Sequence, residues 1–151
     1  MKLLFLCNEV TSNCEPVLPE IFKRAGFEVD FYWVSHDQFP STLEGYDAVF
    51  LSGSVANPGD PYPWIAKLED LLREIARLGL PTLGVCFGSQ VLAYALCGHD
   101  QAFRRESCEL TYADLTLNHS EPDDPLILRL GPKFRIFSWH NMQVKSGHPN
   151  M

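Results

Sequence analysis

Apolar and polar positions along the chain form two kinds of pattern, short solid apolar runs and helical stripes. Lys2 to Cys7 is apolar after its first residue, as expected of a strand buried on both faces. Residues 8–13 are polar and predict a loop. Glu15 to Ala25 carries Val17, Leu18, Ile21 and Phe22 at helical spacing, and Gly26 stands where a glycine would end that helix. Phe27 to Val34 predicts a second strand, with Val29, Phe31 and Trp33 alternating against Glu28 and Asp30. Ala48 to Leu51 predicts a third, opening into Ser52-Gly53-Ser54. Loop 52–63 is rich in Gly, Pro and Asp, and Pro63 suits the first turn of a helix. From Trp64 the apolar residues at 64, 65, 68, 71, 72 and 75 make one stripe, with Lys67, Asp70, Arg73 and Glu74 outside it.

Leu80-Pro81 is expected to break that helix, and Thr82 to Val85 reads as a fourth buried strand. A further helix should begin just after Cys86 and run through Val91, Leu92, Ala95 and Leu96 to Gly98. Strands alternating with helices through short connections predict a parallel α/β sheet. Beyond Gly98 the pattern changes. Ala102 to Arg105, Leu110 to Leu117 and Phe134 to Ser138 read as separate strands, and Leu126 to Leu130 as a short helix or strand. Asn141 to Met151 is polar with no periodic element. No repeat or linker interrupts residues 1–151, so one domain is expected.

Composition narrows the classes. A chain of 151 residues fits one domain and can bury a core without staples. Twelve Lys and Arg against 19 Asp and Glu give a formal charge of −7, which argues against nucleic acid as a partner. No apolar run has the length of a membrane span, and the apolar start is too short for a signal peptide. A cytoplasmic protein is therefore expected. Cys7, Cys14, Cys86, Cys97 and Cys108 form no C-x-x-C pair, so neither a disulfide framework nor a thiolate zinc site is predicted. The histidines at 36, 99, 119, 140 and 148 lack metal-ligand spacing, and the glycines fit neither a P-loop nor a dinucleotide fingerprint. No metal or other cofactor is expected.

The chemistry concentrates in Gly84-Val85-Cys86-Phe87-Gly88-Ser89-Gln90, a G-x-C-x-G motif across a strand end and a helix start. A sharp strand-to-helix turn presents its central residue in a strained conformation, and the flanking glycines let neighbouring backbone pass close by. The helix that follows points free N–H groups and the positive end of its dipole at the site, favouring negative charge there. Cys86 is thus a candidate nucleophile and the Phe87 N–H a candidate oxyanion donor. The competing reading is a buried structural thiol, and Cys7, Cys14, Cys97 and Cys108 are read as core or surface thiols.

This window resembles the elbow of the class I, triad-type glutamine amidotransferases, and the likeness extends over most of the chain. Gly45-Tyr46-Asp47-Ala48-Val49-Phe50-Leu51-Ser52-Gly53-Ser54 is similar to the family's strand and oxyanion loop. Asp60-x-x-Pro63-Trp64, Leu80-Pro81-x-Leu83-Gly84, Asp124-Pro125-Leu126, Leu130-Gly131-Pro132 and Ser138-Trp139-His140 follow in the family's order. Within the family the likeness is nearest to stand-alone proteins resembling the amidotransferase domain of GMP synthase. It implies a flavodoxin-like α/β fold, an open and mostly parallel sheet with helices on both faces, without the family's C-terminal strands and helix. It further implies that Cys86 attacks the glutamine side-chain amide to give a γ-glutamyl thioester and ammonia. Phe87 and the Gly53-Ser54 loop would hold the oxyanion, and Gln90, Trp139 and His140 would contact the glutamine or γ-glutamyl small molecule. Ammonia would pass to an acceptor domain or protein.

Two departures shape the expectation. Ser54 stands where the family has a second glycine, which would strain the oxyanion loop if that position needs positive φ. The family's base and orienting carboxylate form a His-x-Glu several tens of residues beyond the motif at His140, and the 11 residues after His140 contain none; His148-Pro149-Asn150 comes too soon and has Asn for Glu. The chain is accordingly read as truncated, and inactive or weakly active as it stands. Uncovered strand edges would favour oligomers. A γ-glutamyl hydrolase, or a degenerate non-catalytic binding module of the same fold, are the alternatives.

Overall fold

In the computed structural model, which describes residues 1–11, 17–116 and 131–145, the apolar run at the amino terminus is a central strand. This strand, β1 (Lys2–Cys7), pairs in parallel with β2 (Glu28–Trp33) on one side and β3 (Ala48–Leu51) on the other. β3 pairs in parallel with β4 (Thr82–Gly84), giving the order β2-β1-β3-β4. That is the order of the first four strands of a flavodoxin-like sheet, and its switch point lies between β1 and β3.

Alternation along β1 and β3 divides the core in two. Leu4, Leu6, Val49 and Leu51 pack with Trp64, Leu68 and Leu72 of α2 (Pro63–Arg77) and with Phe87 and Val91 of α3 (Phe87–Cys97). Leu3, Phe5 and Phe50 take the opposite face, against Phe22 of α1 (Val17–Arg24), with the Phe22 and Phe50 rings 4.9 Å apart. Helices therefore cover both faces of a mostly parallel sheet, as the sequence predicts.

The helix ends obey local chemistry. Gly26, at φ +92°, closes α1 as Phe27 N–H donates to the Phe22 carbonyl (3.1 Å) and Gly26 N–H to that of Lys23 (3.0 Å). Pro63 opens α2 at its first position. The end of α2 differs from expectation: Gly79 at φ +68° stops it with the same pair of bonds, before Leu80-Pro81 is reached. β2 likewise ends at Trp33, because Val34 to His36 turns into a short 3-10 helix. Glu69 interrupts the apolar stripe of α2. It stays buried because Arg73 (2.7 Å) and His99 (3.1 Å) both meet its Oε2.

At the other end of the strands, Asp30 Oδ2 receives Lys2 Nζ at 2.9 Å and Tyr46 Oη at 2.8 Å. The Lys2 bond, ahead of the Tyr46 bond, holds the Asp30 carboxyl below its ordinary value of 3.8, while burial first and the Asp30 bond second push the Tyr46 phenol up. A carboxyl with a depressed folded pKa adds stability that is full above the unfolded value and is lost as pH falls through the folded value. The urea midpoint should thus drop on acidification from about pH 5 to below 3.8, with a shallower drop in Asp30→Asn. Identical acid slopes in the two proteins would remove Asp30 from the account.

The chain divides into two compact units, Met1–Phe103 with Met142–Met151, and Arg104–Asn141. Two long strands pair in the second, β5 (Ala102–Thr116) and β6 (Lys133–Val144). Two expectations are corrected here. Ala102 to Arg105 and Leu110 onward are one continuous strand, and Asn141 to Val144 continues β6 where no element was predicted. Cross-strand pairs explain both: Arg135 forks onto Asp114 (2.6 and 2.8 Å), Tyr112 meets Phe137 edge to face, and His140 Nε2 lies 3.0 Å from Glu109 Oε2. Leu126 to Leu130, Cys14, His119 and His148 lie outside the described residues.

Candidate active site

The carboxyl ends of β1, β3 and β4 place Asn8, Ser52 and Cys86 along one edge of the sheet. Cys86 is the residue between β4 and α3, at φ 53° and ψ −116°, a conformation that costs an L-residue about 1–3 kcal/mol. Among the described non-glycine residues only Asp37 shares a positive φ. The turn is closed by Gly88 N–H to the Val85 carbonyl (2.9 Å) and Gln90 N–H to the Cys86 carbonyl (3.1 Å), while Ser89 Oγ donates to that same carbonyl (2.8 Å). The Cys86 thiol is exposed.

Both flanking glycines are forced by close approach. A Cβ on Gly84 would sit 2.5 Å from the Gly88 carbonyl carbon, and one on Gly88 2.5 Å from the Leu51 carbonyl oxygen. The first turn of α3 is therefore pressed onto β3 and β4 as only glycine allows. Gly53 comes next to Cys86 from the end of β3: a Cβ there would lie 3.4 Å from the Cys86 Cβ and 4.0 Å from its Sγ.

The N–H groups of Gly53, Ser54 and Phe87 donate to no described partner. Phe87 is the first residue of α3, where a helical N–H has no intrahelical acceptor. Ser54 does not take positive φ, so the expected strain is absent; its hydroxyl instead accepts the Ala56 N–H (3.1 Å) and shapes the loop. Asn57 and Asp60 brace the far side, through Asn57 N–H to Asp60 Oδ2 (2.8 Å).

The first unit thus brings Cys86, Phe87, Gly53 and Ser54 together. Gln90 lies one turn further along α3 with a buried side chain whose Nε2 donates to the Met142 carbonyl at 3.4 Å. Trp139 and His140 belong to the second unit, where Trp139 is 64% exposed and His140 pairs with Glu109. Among the described residues nothing hydrogen-bonds the Cys86 sulfur. A His-x-Glu does occur upstream of His140, at His119-Ser120-Glu121, which lies outside the described residues. Sequence reading passed over Asn8 and Ser52, whose signal was slight: a polar residue at the very end of an apolar strand.

Comparison with known proteins follows from this geometry. The sequence model for class-I glutamine amidotransferases matches residues 11–150. The chain belongs to that family. It is 39% identical over 72 residues to the glutamine-hydrolysing component of GMP synthase from Halobacterium salinarum, covering 48% of this chain and 37% of that protein. It is 32% identical over 94 residues to gamma-glutamyl peptidase 4 of Arabidopsis thaliana, covering 61% and 37%. The crystal structure of a glutamine amidotransferase from Thermotoga maritima superposes with a TM-score of 0.80 at 21% identity, over 96% of this chain and 62% of that one. This family member thus spans between about a third and two thirds of these relatives. Among its described residues no helix is long and apolar enough to cross a membrane, and no three His, Cys, Asp or Glu cluster as metal ligands would.

Proposed function

We propose that Cys86 is the nucleophile of a glutamine amide-cleaving site. The observation that supports this best is the positive-φ turn that exposes the Cys86 thiol beside three undonated N–H groups. Attack of the Cys86 sulfur on the side-chain amide carbon of glutamine makes a C–S bond and places negative charge on the amide oxygen. The N–H of Phe87 and those of the Gly53-Ser54 loop receive that charge, assisted by the amino-terminal end of α3. Collapse breaks the C–N bond, the thiol proton leaves on ammonia, and water then releases glutamate and restores the thiol.

The proton needs a carrier, and the described first unit offers no group bonded to Cys86. Chemistry that needs no base therefore tests the nucleophile directly. A glutamine-analogue electrophile, such as a chloroketone, should add one mass adduct per chain on Cys86, and free glutamine should slow it. Adducts of equal yield in Cys86→Ala, or no protection by glutamine, would refute the assignment.

A second reading, cleavage of small γ-glutamyl compounds, draws support from the similarity to gamma-glutamyl peptidase 4. Stronger protection by a γ-glutamyl peptide than by glutamine would favour it. For the glutamine reading we place the ammonia acceptor on another domain or protein.

A further inference from the structure

We propose that Asn8 is a positioning residue, one that aims the backbone donors of the Gly53 loop at the Cys86 reaction; the proposal rests on Cys86 attacking a carbonyl. Asn8 is the first residue after β1, is wholly buried, and sits at the β1/β3 switch point. Its Nδ2 donates to the Ser52 carbonyl at 2.7 Å, and its backbone N–H to Ser52 Oγ at 2.9 Å. Ser52 Oγ in turn donates to the Gly53 carbonyl at 3.0 Å, and Ser52 N–H continues the ladder to the Leu6 carbonyl at 3.1 Å.

Peptide planarity converts these bonds into a statement about donors. The Ser52 carbonyl and the Gly53 N–H share one rigid trans plane, as do the Gly53 carbonyl and the Ser54 N–H. Pinning the two carbonyls, one by Asn8 Nδ2 and one by the hydroxyl that Asn8 N–H orients, sets the direction of both N–H groups, which point opposite to their carbonyls. These are the two undonated N–H groups of the loop whose Gly53 lies against Cys86.

The other end of the carboxamide speaks for the same role. Asn8 Oδ1 is buried with no hydrogen-bond partner, which is destabilising. An apolar side chain would avoid that cost, so what Asn8 contributes is its donor. The Ser52 carbonyl fixes which way the amide faces, because the reverse orientation would set two oxygens against each other.

Two reactions of one thiol separate aim from fold. Iodoacetamide alkylates Cys86 by displacement of iodide, with no oxyanion. A γ-glutamyl p-nitrophenyl ester is attacked at its carbonyl: the C–S bond forms, the aryl C–O bond breaks, p-nitrophenolate leaves and the thiol proton goes to water. For Asn8→Leu, which keeps the bulk but not the donor, the burst of p-nitrophenolate should slow by about 10- to 100-fold. Alkylation by iodoacetamide should stay within about 2-fold of the unsubstituted chain. Ser52→Ala, which leaves the buried Asn8 in place and frees only the Gly53 carbonyl, should show the same split more weakly and covers the case in which Asn8→Leu fails to fold. An unchanged burst in both variants, or a parallel fall of both reactions, overturns the proposal. An unsubstituted chain that alkylates at Cys86 yet gives no burst overturns the carbonyl-attack reading and this proposal with it.

Discussion

Replacing Cys86 by glycine should abolish covalent labelling while making the protein more stable. The first half is the loss of the proposed nucleophile, for which a fall of at least about 10³-fold in acylation rate is expected. The second half follows from the backbone. Cys86 holds φ 53° and ψ −116°, worth about 1–3 kcal/mol of strain, and glycine relieves it. Glycine also loses about 0.5–1 kcal/mol through its freer unfolded chain, leaving a net gain of about 0.5–2 kcal/mol. The thiol is exposed, so little buried contact is given up. At this chain length each kcal/mol moves the melting temperature by about 2–4 °C. Cys86→Ala, which keeps the Cβ and hence the strain, should lose labelling with little change in melting temperature. A glycine variant that melts below the alanine variant would show that the turn stores no strain and would undercut its reading as a device for presenting a nucleophile.

Gly88→Ala should destabilise the protein even though it lies inside a helix. Helix propensity alone favours alanine over glycine by about 1 kcal/mol. Against this, the new Cβ would stand 2.5 Å from the Leu51 carbonyl oxygen and 2.8 Å from the Leu51 Cβ. Leu51 is wholly buried, and its oxygen already accepts the Val85 N–H at 3.1 Å, so β3 has no room to give. The helix must lift instead, at a cost of about 1–3 kcal/mol or more, which outweighs the propensity gain. Lifting α3 also carries Phe87 N–H and the Cys86 turn away from Gly53. Labelling of the folded variant by a glutamine-analogue electrophile should therefore slow together with the loss of stability. A melting temperature at or above that of the unsubstituted chain would mean that α3 can move off the sheet freely.

Much of the first unit was legible because the deciding physics is local. The Schellman glycine at Gly26, Pro63 at the first position of α2, and the stripe from Trp64 to Ile75 each act within one or two helical turns. Gly84 and Gly88 were readable as a pair because strand, turn and helix follow one another in sequence, so their close approach is nearly a local event too. Ribbon β5–β6 was not legible in its true length. Its stability rests on pairs such as Asp114 with Arg135 and Glu109 with His140, 21 and 31 residues apart, which leave no apolar period in either strand. The Glu69 carboxylate was unreadable for the same reason, since His99 reaches it from 30 residues away.

The candidate site divides along the same line. That Cys86 would stand at a glycine-flanked turn ahead of a helix follows from the order of residues, because a strand end and a helix start there impose one backbone path. That Gly53 would lie against Cys86, that Ser54 would be free of positive φ, and that Asn8 would grip Ser52 across 44 residues do not follow from any local pattern. Parallel pairing of β1, β3 and β4 decides them, since strands that share a direction bring all their carboxyl ends to one edge, however far apart they lie in the chain.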